Sequence, residues 1–429
     1  MSQPPHVAAT AAISPSADLD SLSETYVALA FGLEWHIPGA IDGYMGPESL
    51  RPATDAPAVE PAVLLERAES LLSAIEVADI PATRVDYLLA QVRGITTMVR
   101  RLTDEEISYA DEIRLYFDIE PERTSEVVYD DAIAALDDAL PGEGAVAERM
   151  VAYRKRFEIP VEAARRIVPS IINEVRRRSA AFVSLAENES VELGFVQNKP
   201  WSGYNWYLGN SRSLIEINTD LPIKAHLLLD LMAHEGYPGH HAEHSLKEQR
   251  LYREAGYGEH AILLINTPEC VISEGIATLA QSMIFEPGEA EEWQAEHIFG
   301  PLGITTDFRN DAQIAAAQRA MRSVSANAGL LLHQDGASED EAVAYLCRYA
   351  LSSETEARHR LRFIADPLWR AYVFTYHAGR DLIDAWLDRE DVEGDVITGI
   401  DRWSRRQQRF SQLLQTQVTP SALVSELTI

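Results

Sequence analysis

The chain has 429 residues, of which 37 are Lys or Arg and 67 are Asp or Glu, so its formal net charge is −30. An acidic surface of this kind repels nucleic-acid phosphates and anionic lipid headgroups, which argues against nucleic-acid and membrane partners. The composition, with 46% hydrophobic and 24% charged residues, is that of a folded globular protein and excludes disordered and collagen-like chains.

The N-terminal half of the chain has the pattern of a helical protein. Residues 1–20 are rich in Ala, Ser and Pro and predict a disordered tail, and helical spacing begins near Leu22. The segment from His36 to Pro52 holds five Gly and Pro residues up to Pro47 and predicts a long loop without regular structure. The helices that follow are expected at about 61–77, 82–103, 105–117, 125–140, 143–156 and 160–186.

The pattern changes at residues 193–220, which are rich in aromatic, Gly and Asn residues. Within them, "SLIEIN" alternates between apolar and polar side chains and predicts a strand of a small β-ribbon. Asp220 and Pro222 then mark a helix start, and the apolar run "IKAHLLLDLMAHE" predicts a buried helix. Further helices are expected at about 270–285, 289–298, 309–333, 338–350, 353–364, 367–388 and 392–416.

These elements predict a mainly α fold in which two helical lobes surround a central cleft, with the β-ribbon just before the most unusual helix. No linker rich in Pro, Gly or Ser separates autonomous domains, so residues 21–429 are expected to form one unit, with lobes at about 21–190 and 191–429. Two cysteines, no signal peptide and no apolar run of ~18 residues together predict a cytoplasmic protein, whose oligomeric state the sequence leaves open.

A cluster of histidines lies at the end of the apolar helix. Five of the twelve histidines in the chain fall here: His226, His234, His240, His241 and His244. Imidazoles beside carboxylates are the usual zinc donors where cysteine is absent. The sequence "AHEGYPGHHAEH" is close to the zinc-peptidase motif H-E-x-x-H, but the position that should hold the second histidine is proline.

Helix geometry shows how the motif can still bind one ion. In a straight helix His240 points ~120° away from His234, and His241 lies ~10.5 Å along the axis. Because Pro238 cannot donate a backbone hydrogen bond and Gly239 tolerates left-handed backbone angles, a bulge of two residues would bring His240 to the position of a regular second ligand. His241 remains the alternative.

A third ligand is expected from the helix that contains "SEGIATLAQ", which supplies Glu274. Three protein ligands leave the fourth position open for water, as in catalytic rather than structural zinc sites. The expected cofactor is therefore one Zn²⁺ per chain. Glu274 as an ordinary carboxylate on a helix surface is the alternative.

The string H-E-x-x-P-G-H-H at 234–241, followed by E-G-x-A at 274–277, resembles the bacterial domain-of-unknown-function family 885, whose members are often described as candidate zinc metallopeptidases. The E-G-x-A element is also similar to the third-ligand helix of aminopeptidase-N-like gluzincins. Further similarity lies at 204–219 and 362–380. The resemblance implies a gluzincin architecture, related to helical peptidases such as angiotensin-converting enzyme. Ile276 replaces an aromatic residue common in the family.

The expected chemistry is hydrolysis of a peptide or small amide. Zinc would lower the pKa of a bound water towards ~7, and Glu235 would accept the proton and pass it to the leaving amine. The candidate donors to the oxyanion are Tyr376, His377 and Arg380, of which His377 stands where the family commonly carries lysine. Tyr376 is equally well explained as a core residue, and Arg380 as a partner of a nearby aspartate.

Two further pairs of residues complete the expected site. His241 and Glu243 would orient the metal ligands by hydrogen bonds. Asn218, at the end of a strand whose edge is exposed, would bind the substrate backbone together with Arg212, although Asn218 also suits a turn.

Two other classes of protein compete with the hydrolase. A helical protein that binds metal or another ligand without turnover would keep the same motif. A di-iron carboxylate enzyme would need E-x-x-H pairs on two helices, and two such pairs are not found in the sequence.

Overall fold

A computed structural model of the protein describes residues 19–199, 201–390 and 401–428. The protein is 62% helix and 8% strand, which confirms the mainly α fold. Most of the expected disordered tail, residues 1–18, lies outside the described residues. Among the residues described, no helix combines the length and the apolar character needed to cross a membrane.

The helices of the N-terminal half begin where the sequence offers a cap. The side chains of Asp20, Ser108 and Ser125 each accept a hydrogen bond from a backbone N–H of the first helical turn. The cap at Ser108 explains why one helix begins at Tyr109 rather than at residue 105, as expected. The helices are α1 (Ser21–His36), α2 (Pro61–Glu76), α3 (Ala82–Leu102), α4 (Tyr109–Phe117), α5 (Glu126–Ala139), α6 (Val146–Lys155) and α7 (Val161–Ser179).

The strands form small sheets between the helices. They are β1 (Ile41–Tyr44), β2 (Glu158–Ile159), β3 (Ser190–Val196), β4 (Gly203–Gly209), β5 (Arg212–Asn218), β6 (Ile223–Lys224) and β7 (Ile262–Leu264). The largest sheet has the order β3-β5-β4, in which β5 runs parallel to β3 and antiparallel to β4. β1 pairs antiparallel with β7, and β2 pairs antiparallel with β6. The expectation of an irregular loop was therefore wrong for β1, because its partner strand is distant in sequence.

The C-terminal half is again helical. Its α-helices are α8 (Leu228–Glu235), α9 (His240–Lys247), α10 (Pro268–Ile284), α11 (Glu289–Gln294), α12 (Gly300–Leu302), α13 (Phe308–Ala320), α14 (Val324–His333), α15 (Glu339–Tyr349), α16 (Glu354–Ala365), α17 (Val373–Leu387), α18 (Arg402–Leu413) and α19 (Pro420–Leu427). The helix expected at 309–333 is in fact two helices, α13 and α14. Part of the helix expected at 392–416 lies outside the described residues.

Buried hydrophobic side chains from both halves of the chain belong to one continuous cluster. It includes Val27 of α1, Ile171 of α7, Met232 of α8, Val271 of α10 and Phe374 of α17. Within this core α8 contacts α7 and α10, and α10 contacts α17. The division into two lobes near residue 190 stays a prediction.

α10 and α17 approach each other closely because glycines face each other at their contact. A Cβ atom at Gly379 would lie 2.2 Å from the carbonyl oxygen of Val271, and one at Gly275 would lie 2.5 Å from the carbonyl oxygen of Gly379. No side chain fits at these distances, so the pair of glycines allows the two helices to pack backbone to backbone. Glu274 is adjacent to this contact.

Candidate metal centre

The helix that carries His234 and Glu235 is interrupted by an insertion of two residues. The N–H of Gly239 donates to the carbonyl of Ala233 at 3.0 Å, and the N–H of Ala242 donates to the carbonyl of Gly236 at 3.3 Å. Each bond spans six residues instead of the four of a regular α-helix. The expected bulge is therefore present, and it includes a cis peptide bond between Tyr237 and Pro238.

The reason for a glycine at position 239 differs from the one expected. Its φ angle is −77°, which is not left-handed. A Cβ atom here would instead lie 1.9 Å from the carbonyl oxygen of His234, so only glycine allows the chain to return against the end of α8. As a result, the rings of His234 and His240 lie 4.8 Å apart at their centroids, almost perpendicular to each other.

Glu274 on α10 completes a group of three potential metal ligands. Its Oε2 atom is 3.4 Å from Nε2 of His234, and its Oε1 atom is 3.9 Å from Nε2 of His240. One ligand atom from each residue lies within 4.8 Å of the other two. The Oε2 atom of Glu274 is buried and has no hydrogen-bond partner in the described part of the chain, as expected for an atom that binds something else.

A hydroxyl group behind His240 fixes the orientation of its ring. Ser273 Oγ lies 3.0 Å from His240 Nδ1 and donates a hydrogen bond of 2.6 Å to Glu243. Since the hydroxyl proton is donated to Glu243, Ser273 accepts from Nδ1–H, which turns Nε2 of His240 towards Glu274 and makes it the ring nitrogen that could bind a metal after losing its proton. Lys247 donates to the other oxygen of Glu243 at 2.7 Å. Glu243 thus contacts His240 through Ser273, and its role in orienting a metal ligand stays a prediction.

Tyrosines from α17 and the turn before it lie on the other side of Glu274. The hydroxyl of Tyr372 donates a 2.9 Å hydrogen bond to Glu274 Oε1. The ring of Tyr376 lies 5.8 Å from that of Tyr372, and Tyr376 is 38% exposed, because it lines the cavity in front of the cluster. Sequence reasoning missed Tyr372, although it lies one helical turn before Tyr376 and therefore on the same side.

Burial sets the charge states of these groups. It lowers the pKa of His234, and the nearby His240 lowers it further, so His234 is neutral, the form that binds metals. Burial raises the pKa of Glu235 to about 7; His240 opposes this shift, while the negative charges of Glu274 and Asp42 add to it. For His240, the hydrogen bond involving Glu243 and the surrounding carboxylates outweigh burial and raise the pKa to about 9. The carboxylates around His240 therefore favour a positive charge on its ring.

The cluster faces a cavity of about 140 Å³. Its wall includes residues at the start of β4, and Asn205 there donates a 2.5 Å hydrogen bond to the backbone carbonyl of Glu235. Tyr204, also on β4, donates to Asp42 on β1, and burial raises the pKa of Asp42 to about 6. Tyr204 was not expected in the site, and Asp42 was not expected there because β1 was interpreted as a loop.

His241 does not have the role expected for it. It is completely buried, with Nδ1 2.8 Å from Ser213 Oγ and Nε2 3.0 Å from Glu189 Oε2. Consecutive residues of a helix point ~100° apart, so once His240 faces Glu274, His241 must face the β-sheet. Glu189 also accepts a hydrogen bond from Tyr237, so these side chains anchor the inserted residues. His241 is neither a ligand nor an orienting group for the cluster.

Two of the expected oxyanion donors lie away from the cavity. The ring centroid of His377 lies 5.5 Å from that of Phe374 with the ring planes tilted by 54°, and burial lowers the pKa of His377 to about 4, against the influence of Asp381. Arg380 donates to the backbone carbonyl of Thr278 and so ties α17 to α10. Neither residue lines the cavity of the cluster. His377 points ~100° away from Tyr376 around α17, whereas Arg380 lies one helical turn beyond Tyr376, where the carbonyl of Thr278 accepts its hydrogen bond.

The expected substrate-binding residues on β5 are also corrected. β5 is paired on both sides, by β3 and β4, so it has no exposed edge for an extended peptide. Asn218 uses its side-chain amide to donate to the carbonyls of Lys199 and Trp201 at 2.9 and 2.8 Å, and thereby shapes a turn. Arg212 lies at the opposite end of β5 and does not line the cavity.

Comparison with known proteins finds similarity of fold, and the names of the similar proteins state no activity. No protein-family model and no curated protein matches the chain. The chain is similar to a candidate lipoprotein from Colwellia psychrerythraea, with a TM-score of 0.50 and 15% identity over 85% of this chain and 65% of that one. A candidate lipoprotein of unknown function from Shewanella oneidensis gives a TM-score of 0.46 and 13% identity over 86% of this chain and 73% of its own. This chain therefore spans 65% of the length of the Colwellia protein.

Proposed function

We propose that the protein is a zinc-dependent hydrolase that cleaves a peptide bond or a related amide bond. The observation that carries the proposal is the convergence of His234, His240 and Glu274 on one point, with a carboxylate oxygen of Glu235 4.0 Å from His234. Two imidazoles and one carboxylate are the protein ligands of many catalytic zinc sites, in which the fourth position is open.

The donor set fits zinc in its chemistry as well as its position. His234 is neutral, His240 turns Nε2 towards the cluster and would lose the proton on it to a metal, and Glu274 has a buried oxygen without a hydrogen-bond partner among the described residues. A zinc ion held by these groups would supply Lewis acidity, which polarises a carbonyl and lowers the pKa of water towards ~7. The surrounding carboxylates would offset its positive charge.

Glu235 would act as the general base. The backbone of Asn205 forms a hydrogen bond to the Glu235 carboxylate and lowers its pKa slightly, but burial outweighs this effect. A pKa of about 7, raised by burial, lets the group accept a proton and release it near neutral pH. The proton would then pass to the nitrogen of the leaving amine.

Tyr376 is the residue best placed to stabilise an oxyanion. Partial burial in the cavity wall and the nearby carboxylates of Glu274 and Glu235 raise the pKa of Tyr376, so its hydroxyl keeps its proton and can donate. The Tyr372 hydroxyl already donates to Glu274. A hydrogen bond from Tyr376 to the carbonyl oxygen of the substrate would strengthen as negative charge develops there.

The first test is the metal content of the purified protein, measured by mass spectrometry after equilibration with zinc. We expect about one zinc per chain, lost in His234→Ala and in Glu274→Ala. His297→Ala is a matched control, because His297 is an exposed histidine stacked on Trp293, far from the cluster in sequence. Absence of zinc from the wild-type protein, or zinc retained in both variants, would overturn the proposal in favour of a non-catalytic binding protein.

The second test is a cleavage screen with a library of short peptides. We expect hydrolysis by the zinc-loaded protein and none by Glu235→Gln with the same zinc content. Membership of family 885 and a cytoplasmic location stay predictions.

A further inference from the structure

A second pocket, of about 380 Å³, adjoins the cavity of the metal cluster. Its charged lining residues are all arginines, namely Arg154, Arg322 and Arg360, and none of its described lining residues is acidic. The pocket is therefore lined by positive charge, although the chain as a whole has a net charge of −30. The neighbouring cavity has the opposite character, since its lining carries six carboxylates and one ammonium group: Asp42, Glu235, Glu248, Glu259, Glu269, Glu274 and Lys247.

The two spaces share part of their walls. Phe363 of α16 and Tyr376 of α17 line both the metal-site cavity and the arginine pocket. Tyr376 is also the residue that we place beside the reacting carbonyl. A molecule whose amide lies at the cluster and whose chain continues past Tyr376 would therefore extend towards the arginine pocket.

The positive charges of the pocket are only partly neutralised by the protein. Arg154 donates to the backbone carbonyls of Leu351 and Ala350, at 2.9 and 3.3 Å, and not to a carboxylate. Arg322 pairs with the exposed Asp381. Arg360 makes no ion pair with any residue in the described ranges, and the negative charge of Glu356 acts on it from a longer distance.

The arginines also act on each other electrostatically. Burial lowers the pKa of Arg154, the nearby Glu356 opposes this shift, and the positive charge of Arg360 adds to it. Oε1 of Glu356 itself lies 3.3 Å from Nζ of Lys224, so Lys224 partly neutralises the negative charge of Glu356. An anion in the pocket would relieve this repulsion.

We propose that the arginine pocket binds a carboxylate of the substrate whose amide bond lies at the metal cluster. This inference rests on the proposed function. Guanidinium groups bind carboxylates through paired, charge-assisted hydrogen bonds. A short peptide with its amino end in the acidic cavity and its carboxylate among the arginines matches the charge of both spaces. The carboxylate is either the C-terminus of the peptide or an acidic side chain, and the experiment distinguishes these sources.

The test is isothermal titration of the full chain carrying Glu235→Gln, which prevents cleavage of the bound peptide. The probes are tri-alanine, tri-alanine amide and alanyl-glutamyl-alanine amide, each titrated with and without zinc. We expect tri-alanine to bind about tenfold or more tighter than its amide, as one lost charge-assisted contact implies. Adding Arg360→Gln should remove this preference, and Arg360→Lys should restore part of it.

Arg358→Gln is the matched control, because it removes the same charge from the same helix. Arg358 is paired with Glu354 and Asp340 and does not line the pocket, so the preference for the acid should persist. Tight binding of alanyl-glutamyl-alanine amide would identify an acidic side chain as the source of the carboxylate, and weak binding would identify the C-terminus.

Three results would overturn the inference: acid and amide affinities within about threefold of each other, equal losses in Arg358→Gln and Arg360→Gln, or no binding of any probe. Failure of the hydrolase proposal has a different signature. In that case zinc does not bind, whereas the preference for the acid over the amide is still measured in the metal-free chain.

Discussion

The hydrogen bond from Tyr372 to Glu274 offers a sharp test of the candidate metal centre. Tyr372 is 7% exposed, and its ring packs against Trp369 and Phe117 at centroid distances of 5.3 and 6.2 Å. Tyr372→Phe preserves these ring contacts and removes only the hydroxyl that donates to Glu274 Oε1 at 2.9 Å. The change therefore acts on the third ligand without disturbing the core.

The size of the effect follows from the burial of Glu274. A hydrogen bond to a charged group is worth about 1.5–3 kcal/mol, and about 1.4 kcal/mol corresponds to a factor of ten in affinity. We therefore expect zinc to bind about 10- to 100-fold more weakly, the range typical of groups that orient metal ligands. The hydroxyl also lowers the pKa of Glu274, against the effect of burial, so its loss lets protons compete better and the defect should grow at lower pH.

The assay is a competition titration of zinc between the protein and a chromogenic chelator near neutral pH. Tyr376→Phe is the control, because Tyr376 lines the same cavity but makes no hydrogen bond to Glu274 within the described residues. We expect it to keep the wild-type zinc affinity while lowering kcat. Wild-type affinity in Tyr372→Phe, or an equal loss in both variants, would refute the role assigned to Tyr372.

Further predictions concern the other groups of the site. Ser273→Ala removes the hydroxyl between His240 and Glu243, so zinc affinity should fall about tenfold in the same titration; an unchanged affinity would contradict the orienting role. Glu235→Gln should keep zinc but lower kcat about 10²- to 10⁴-fold, and a kcat near that of the wild type would mean that another group accepts the proton. The pKa of Glu235 is raised to about 7 in the folded protein, so the metal-free protein should lose stability as the pH rises through this value. Zinc offsets that cost, and removing zinc should therefore lower the melting temperature more at about pH 8 than at about pH 5.5; equal shifts would refute this linkage. Gly379→Ala places a Cβ atom 2.2 Å from a backbone oxygen of α10, so unfolding should become easier by about 1–3 kcal/mol, and a denaturant titration that shows no loss would contradict the packing described.

The proximity of His234, His240 and Glu274 was largely predictable because its signals are local. Proline at position 238 forbids a regular helix, and the spacing of His234 and His240 then requires two extra residues between them. Glu274 followed from a helix pattern and a motif. The mainly α fold followed from helical periodicity and end signals, although boundaries moved where a cap such as Ser108 lies inside the expected range.

The rest of the site depends on contacts between residues that are distant in sequence. β1 exists because β7 pairs with it, so no local pattern could bring Asp42 to the cavity. Asn218 was assigned to an exposed edge because the parallel pairing of β3 with β5 has no local signal. The sides on which His241 and His377 lie depend on the rotation of their helices about the axis, and this rotation is set by packing.

The two inserted residues also affect how such proteins are found by sequence comparison. Without Tyr237 and Pro238, the remaining letters read His-Glu-Gly-Gly-His, which is the H-E-x-x-H spelling of regular zinc peptidases. A text search for that spelling passes over this chain, although the hydrogen-bonded frame on either side of the insertion places the two histidines together. An in-frame insertion or deletion of two codons would convert one motif into the other. The motif with the two extra residues is distinguished by Tyr237 and its hydrogen bond to Glu189.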